Sequence, residues 1–251
     1  MPPAIRMAQL LAALAALAAG FTATPAPADA CTASMIPAYF PPGATSPWEQ
    51  VIASGAPGTT MILNPASGPG ASPDSAYRKT VRRAQASGVR VLGYVHTRWG
   101  RRKSTRVRDE VDRYASWYGV DGIFFDEAAT SATQLSYYRK LYRHVKRTSD
   151  GQVVLNHGVA PDERYMQVAD VAVVFEGSAA AYLSAAPAAW RDAYHPRRFA
   201  DLVYAAPAQS LPQIRARAKA RGVGHLYVTD DVLDNPWDAL PRFWTEMLAP
   251  C

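Results

Sequence analysis

Three short apolar runs of this chain end in carboxylates. Asp121-Gly122-Ile123-Phe124-Phe125-Asp126-Glu127 closes on an adjacent acid pair, and Val171-Ala172-Val173-Val174-Phe175-Glu176-Gly177 closes on a glutamate. Leu226-Tyr227-Val228-Thr229-Asp230-Asp231 closes on two aspartates. Carboxylates are strongly solvated, so an acid at the end of a buried strand carries a desolvation cost that chemistry would explain. Two carboxylates on different strands can work across a glycosidic bond as acid, base or nucleophile. Structural uses compete with this. Asp126 or Glu127 could cap the next helix or pair with an arginine, Glu176 could form a salt bridge, and Asp230 and Asp231 suit a turn.

Other strand ends supply residues suited to holding sugars. Asn64, His96, Asn156 and His157 can bond hydroxyls, while Tyr39, Tyr94 and Tyr204 can stack on pyranose faces or pack in the core. Trp99 and Trp237 are further aromatic candidates. Asn64 opens a turn-rich loop, Asn64-Pro65-Ala66-Ser67-Gly68-Pro69-Gly70, that would be rigid with or without a ligand. His96 and His157 beside acids raise the question of a metal. Metal-dependent barrel hydrolases usually place a His-x-His pair on the first strand, and residues 35–40 contain no His. No metal or cofactor is therefore expected.

These residues need a scaffold that gathers strand ends. Strands are predicted at 35–40, 59–64, 89–95, 122–126, 152–156, 171–175, 202–206 and 225–229. They lack strict polar alternation, as expected of a parallel sheet buried on both faces. Helices are predicted between them at 48–53, 74–87, 105–118, 132–148, 162–168, 179–185, 211–221 and 237–247. Ser72-Pro73-Asp74 and Pro161-Asp162-Glu163 are helix-start signals, and Gly88 and Gly222 are stop signals. Eight βα repeats in one domain predict a (β/α)8 TIM-type barrel, whose site lies at the C-terminal ends of the strands. An open doubly wound sheet is less consistent, because Tyr39-Phe40-Pro41-Pro42-Gly43 after the first strand is no dinucleotide fingerprint.

Residues 1–30 read as a secretory signal, with Arg6, an apolar stretch over residues 10–19 and the cleavage pattern Ala28-Asp29-Ala30. The expected product is one catalytic domain over residues 31–251, exported to the extracellular space or periplasm and not held in a membrane. Asp29-Ala30 before Cys31 is a poor lipid-attachment signal. The only two cysteines, Cys31 and Cys251, bound that domain, and a disulfide between them would staple its ends. The formal charge of +6 permits nucleic-acid binding. The basic residues are scattered, however, and the one dense stretch, residues 98–108, holds a single aromatic, Trp99, where a stacking platform would interleave several. A polysaccharide is the expected partner, nucleic acid is not, and the protein is expected to act as a monomer.

Ile36-Pro37-Ala38-Tyr39-Phe40, the run from Ile62 to Gly70, Gly93-Tyr94-Val95, the run from Val120 to Glu127, Asn156-His157-Gly158 and Phe175-Glu176 together resemble the spherulin-4-like (spherulation-specific family 4) glycoside hydrolases. The resemblance spans nearly all of residues 31–251. It implies a barrel enzyme that cuts internal α-1,4 linkages of an N-acetylgalactosamine exopolysaccharide, as found in biofilm matrices, by a retaining mechanism. It also implies that Asp126, Glu127 and Glu176 are the functional carboxylates. Asp126 is assigned as nucleophile, Glu176 as acid/base and Glu127 as an auxiliary group, with Asp126 and Glu127 interchangeable because pleating is unreliable at a strand end. Asp230 and Asp231 are grouped with the substrate-binding residues. Two other readings stay open: hydrolysis of the de-N-acetylated polymer, and a matrix protein that binds the polysaccharide without turnover.

Overall fold

The computed structural model describes residues 33–248 other than Pro57. The expected leader and the expected Cys31–Cys251 bond lie outside the described residues. Eight strands form one parallel sheet in sequence order: β1 Met35–Ala38, β2 Thr60–Leu63, β3 Arg90–His96, β4 Gly122–Asp126, β5 Gln152–Asn156, β6 Val171–Ser178, β7 Phe199–Tyr204 and β8 His225–Val228. A parallel bridge from Ala33 to His225, with Leu226 N–H donating to Ala33 O at 3.0 Å, carries the β1 end of the sheet back onto β8. This is the expected TIM-type (β/α)8 barrel.

The outer layer is α1 Pro47–Ser54, α2 Ser75–Ala86, α3 Ser104–Tyr118, α4 Leu135–Thr148, α5 Ala179–Ser184, α6 Leu211–Ala220 and α7 Trp244–Met247. Local chemistry sets their ends. Ser46 accepts from Trp48 N at 3.3 Å with Pro47 opening α1, and Asp74 accepts from Ala76 N at 2.7 Å to cap α2. The strands are apolar because both faces are covered; β1, β2 and β8 are buried along their whole lengths. Gly93 of β3 is required by packing. A Cβ there would stand 2.4 Å from the Tyr114 ring of α3, so the helix lies directly against the strand and Tyr94 faces the barrel interior.

Acids at the opposite, N-terminal ends of strands hold backbone. Asp121 Oδ2 accepts from Val91 N at 2.8 Å, and Asp170 Oδ2 accepts from Val153 N at 2.7 Å and from Lys146.

Two predicted helices are corrected. Residues 162–168 form only a 3-10 turn, Glu163–Gln167. Of residues 237–247, only Trp244–Met247 is helical. Pro241 lacks an N–H and disfavours helical backbone at Leu240, so the chain coils over the barrel mouth before its last turn, where Trp237 O accepts from Tyr39 N at 3.1 Å. β7 also starts earlier than predicted and ends at Tyr204, since Ala205 turns into left-handed backbone at φ 50°.

Candidate active site

Residues of β3 and β4 are in register, with Tyr94 beside Phe124 and His96 beside Asp126. The Tyr94 ring lies parallel to Phe124 at 6.4 Å and edge-on to Tyr39 at 5.5 Å, making an aromatic floor inside the mouth. Asp126 stands above this floor. Tyr94 Oη donates to Asp126 Oδ2 at 2.8 Å, and Asn156 Nδ2 donates to Asp126 Oδ1 at 2.8 Å.

The same Asn156 nitrogen donates to Glu176 Oε2 at 2.5 Å. One amide thus holds both acids, and its two bonds limit the oxygens to a separation of about 5 Å. Gly158 N donates to Asn156 Oδ1 at 3.0 Å, which orients the amide with its NH2 toward the carboxylates. Trp237, 7% exposed, closes the far side, with its indole N–H placed to favour the ionised form of Glu176. It meets Tyr204 edge-on at 6.2 Å.

Glu176 reaches this position through an irregularity in β6. Val173 pairs with Ala200 and Phe175 with Asp201, so Val174 is an extra residue in the ladder. Strict alternation from Val173, which is level with Asn156, would turn Glu176 outward. The extra residue resets the pleat: Phe175 faces out onto Tyr182 at 4.8 Å, and Glu176 faces in.

Burial drives the electrostatics of the pair. It raises the Asp126 carboxyl, which bonds from Tyr94, the Glu127 backbone N–H and Asn156 partly offset. Burial and then the Asp126 charge push Glu176 up to about 7, against bonds from Asn156 and Trp237. The hydrogen bonds to both acids come from neutral donors.

Glu127 is set apart from the pair. The chain reverses there at φ 50°, its carbonyl accepts from Trp99 N at 2.7 Å and Thr97 Oγ1 at 2.8 Å, and its carboxylate lies 3.4 Å from His96 Nδ1. A left-handed glutamate costs about 1 kcal/mol, which this bonding offsets.

The other predicted residues divide. Tyr39, Tyr94 and Asn156 join the acids, and His96 joins Glu127. His157 does not: its Nδ1–H donates to Ala129 O at 2.8 Å, its ring packs 4.8 Å from Tyr165, and burial lowers its pKa to about 4. Asn64 Oδ1 accepts from Gly68 N at 3.0 Å and ties down its own loop. Asp230 pairs with Arg242 at 2.6 Å, and Asp231 accepts from Val232 N at 2.9 Å. Tyr204 reaches the pair through Trp237. Trp237 itself lay in a predicted helix, and its one sequence signal was an aromatic following Pro236 just beyond an acidic strand end. Among the described residues, no three His, Cys, Asp or Glu side chains group as a metal site.

Fold and site define a class: a (β/α)8 barrel whose mouth carries a carboxylate pair, held by a shared amide over an aromatic floor. The chain belongs to spherulation-specific family 4, whose sequence model matches residues 34–250. It is 35% identical to spherulin-4 of Physarum polycephalum over 210 residues, a match covering 78% of this chain and 62% of that protein. The crystal structure of Aspergillus clavatus Sph3 in complex with GalNAc superposes with a TM-score of 0.78 at 29% identity, covering 86% of this chain and 96% of that one. A chitinase from Rhizomucor miehei shares the fold at 12% identity and a TM-score of 0.52, over 86% of this chain and 98% of that one.

Proposed function

We propose that this protein is an exported glycoside hydrolase that cuts internal α-1,4 linkages of an N-acetylgalactosamine-containing exopolysaccharide with retention of configuration. The observation that carries the reading is the Asn156 amide joining Asp126 and Glu176. Carboxylates whose bonded oxygens lie no more than about 5 Å apart fit the close pair of a retaining glycosidase, whereas inverting enzymes need room for a water between the acids. The GalNAc bound by Sph3 supports the sugar assignment.

In this mechanism Asp126 attacks the anomeric carbon while Glu176 donates its proton to the departing glycosidic oxygen. Tyr94 and Asn156 hold the Asp126 carboxylate in place for attack, and the raised Glu176 pKa keeps a large protonated fraction near neutral pH. Forming the glycosyl ester removes the Asp126 charge. That charge is the second cause of the high Glu176 pKa, so its loss lowers the pKa and suits Glu176 to take a proton from the incoming water. Water then adds to the anomeric carbon and Asp126 is released as carboxylate. Tyr39 and Tyr94 offer the sugar an apolar floor, and Glu127 with His96 lies at the side of the cleaved residue.

Mass spectrometry of α-1,4-linked N-acetylgalactosamine oligomers after incubation with the protein tests this, with de-N-acetylated oligomers run in parallel. Shorter acetylated products lost in Glu176→Gln are expected. Products from the deacetylated set alone would move the specificity, and no cleavage of either would favour a non-catalytic polysaccharide-binding protein.

A further inference from the structure

Beside the acid pair, past β3, lies a cavity of about 670 Å³ lined by His96, Arg98, Trp99, Arg101, Arg102, Lys103 and Arg106. No acidic residue lines it. Arg102 is neutralised by Glu110 and also bonds His96 O. Arg98, Lys103 and Arg106 are exposed and form no ion pair among the described residues, while Arg101 sits 5.1 Å over the Trp99 ring. Trp99 is 48% exposed, a large aromatic surface in a protein that otherwise buries most of its tryptophan. α3 starts at the cavity with no capping side chain and no acid in its first turn, so its positive end adds to the same field.

This loop is built rather than slack. Arg98 and Trp99 are both left-handed, at φ 50° and 54°, a conformation that costs non-glycine residues about 1 kcal/mol each and persists only where surroundings enforce it. Here the Trp99 N–H bonds the Glu127 carbonyl at 2.7 Å and Arg102 N bonds Thr97 O at 3.2 Å. The cavity is therefore fastened to the strand end that carries Asp126. His96 belongs to both places: it lines the cavity and is the register partner of Asp126.

Unpaired cations around an exposed indole fit a sugar that carries a negative charge, with the ring on Trp99 and the anionic group on the arginines and lysine. We propose that this cavity is a subsite for an anionic sugar residue of the polysaccharide, bearing a uronate carboxylate or a sulfate ester, one or more positions away from the bond cut between Asp126 and Glu176. The proposal rests on the glycoside hydrolase reading for its polymer. A chain lying across the pair toward β3 reaches the cavity at His96. A nucleic acid is less well matched, because one aromatic cannot stack successive bases.

The test is calorimetric titration of Glu176→Gln, which keeps ligands intact, with and without the added changes Lys103→Gln and Arg106→Gln. The probes are tetragalacturonate, a chondroitin 6-sulfate tetrasaccharide, the neutral N-acetylgalactosamine tetrasaccharide and a single-stranded oligonucleotide. The expected result is that at least one anionic tetrasaccharide binds more tightly than the neutral one at low salt and loses about tenfold in affinity with the two cations removed, while neutral binding is unchanged. The stronger of the two anionic probes identifies carboxylate or sulfate as the natural group. Equal anionic affinity in the charge-depleted protein overturns the proposal, as does tighter oligonucleotide binding lost in the same variant. Cleavage of neutral oligomers by the wild-type chain is scored separately. If it is present while anionic binding is absent, the subsite fails and the hydrolase reading stands; if it is absent while charge-dependent anionic binding persists, the hydrolase reading fails and the anion site stands.

Discussion

Two groups of acids in this barrel, one half-buried at the mouth and one fully buried, face opposite ways and are handled differently. Asp126 and Glu176 face the interior and are held by Tyr94, Asn156 and Trp237, all neutral. Asp201 is fully buried on the outer face of β7, where Tyr182 donates to it at 2.9 Å and Arg221 lies 3.4 Å away. Burial pushes the Asp201 carboxyl up, and the Arg191 and Arg221 guanidiniums pull it back. An acid kept for structure is matched with cations, because an unpaired buried charge is costly. An acid kept for chemistry is matched with neutral donors that orient it and leave its proton exchangeable. The kind of partner separates the two uses, and so does access to the mouth, which Asp126 and Glu176 keep and Asp201 lacks.

The largest effect expected from this contrast is on turnover. Asp126→Asn and Glu176→Gln should each lower kcat by about 10²- to 10⁴-fold, with the thermal transition measured at acid pH little changed. A variant that kept full activity would remove its residue from the pair. Asp201→Asn is the converse case. It should cost about 3–5 kcal/mol in urea unfolding, by leaving two buried guanidiniums without their counter-charge, while the folded fraction keeps its kcat.

A smaller effect separates the groups by pH. Glu176 has a folded pKa of about 7 against an ordinary 4.5, so the folded state holds the proton more tightly than the unfolded state. Its contribution to stability is full below about pH 4.5 and declines as pH rises toward 7, an order-of-magnitude loss of about 3 kcal/mol. Glu176→Gln should abolish that loss. The variant's transition temperature should gain on wild type between pH 5 and pH 8, and an unchanged difference would mean that Glu176 titrates normally.

The smallest expected effect is at Trp237→Phe, which keeps the ring and removes the indole N–H. The indole N–H favours ionised Glu176, so its loss should raise the alkaline limb of the kcat profile by up to about one pH unit. The same change should leave the acid limb, set by Asp126, in place.

Much of the scaffold was legible in the sequence, since apolar runs of strand length separated by amphipathic stretches of helical length admit few arrangements. β4 and β5 match their expected bounds. The misses have local causes. Pro241 interrupts a stretch of helical composition, and the segment 162–168 is too short to close more than one tight turn. At the site, Asp126, Glu176, Tyr39, Tyr94 and Asn156 were marked by type and by their place at strand ends. His157 carried the same marks, yet its ring turns away to Ala129 and Tyr165, because neighbours on a strand point to opposite faces and Asn156 takes the inner one.

Sequence alone determined the repeat of strand and helix, the parallel buried character of the sheet and the set of polar residues at its C-terminal ends, because these follow from hydrophobic periodicity and residue type. Tertiary structure alone decided which acids meet. The extra residue at Val174 turns Glu176 inward, the left-handed turn at Glu127 moves that side chain toward His96, and the coil over the mouth brings Trp237 onto Glu176. Each of these depends on register between strands or on contacts between segments far apart in the chain, and neither is written in local composition.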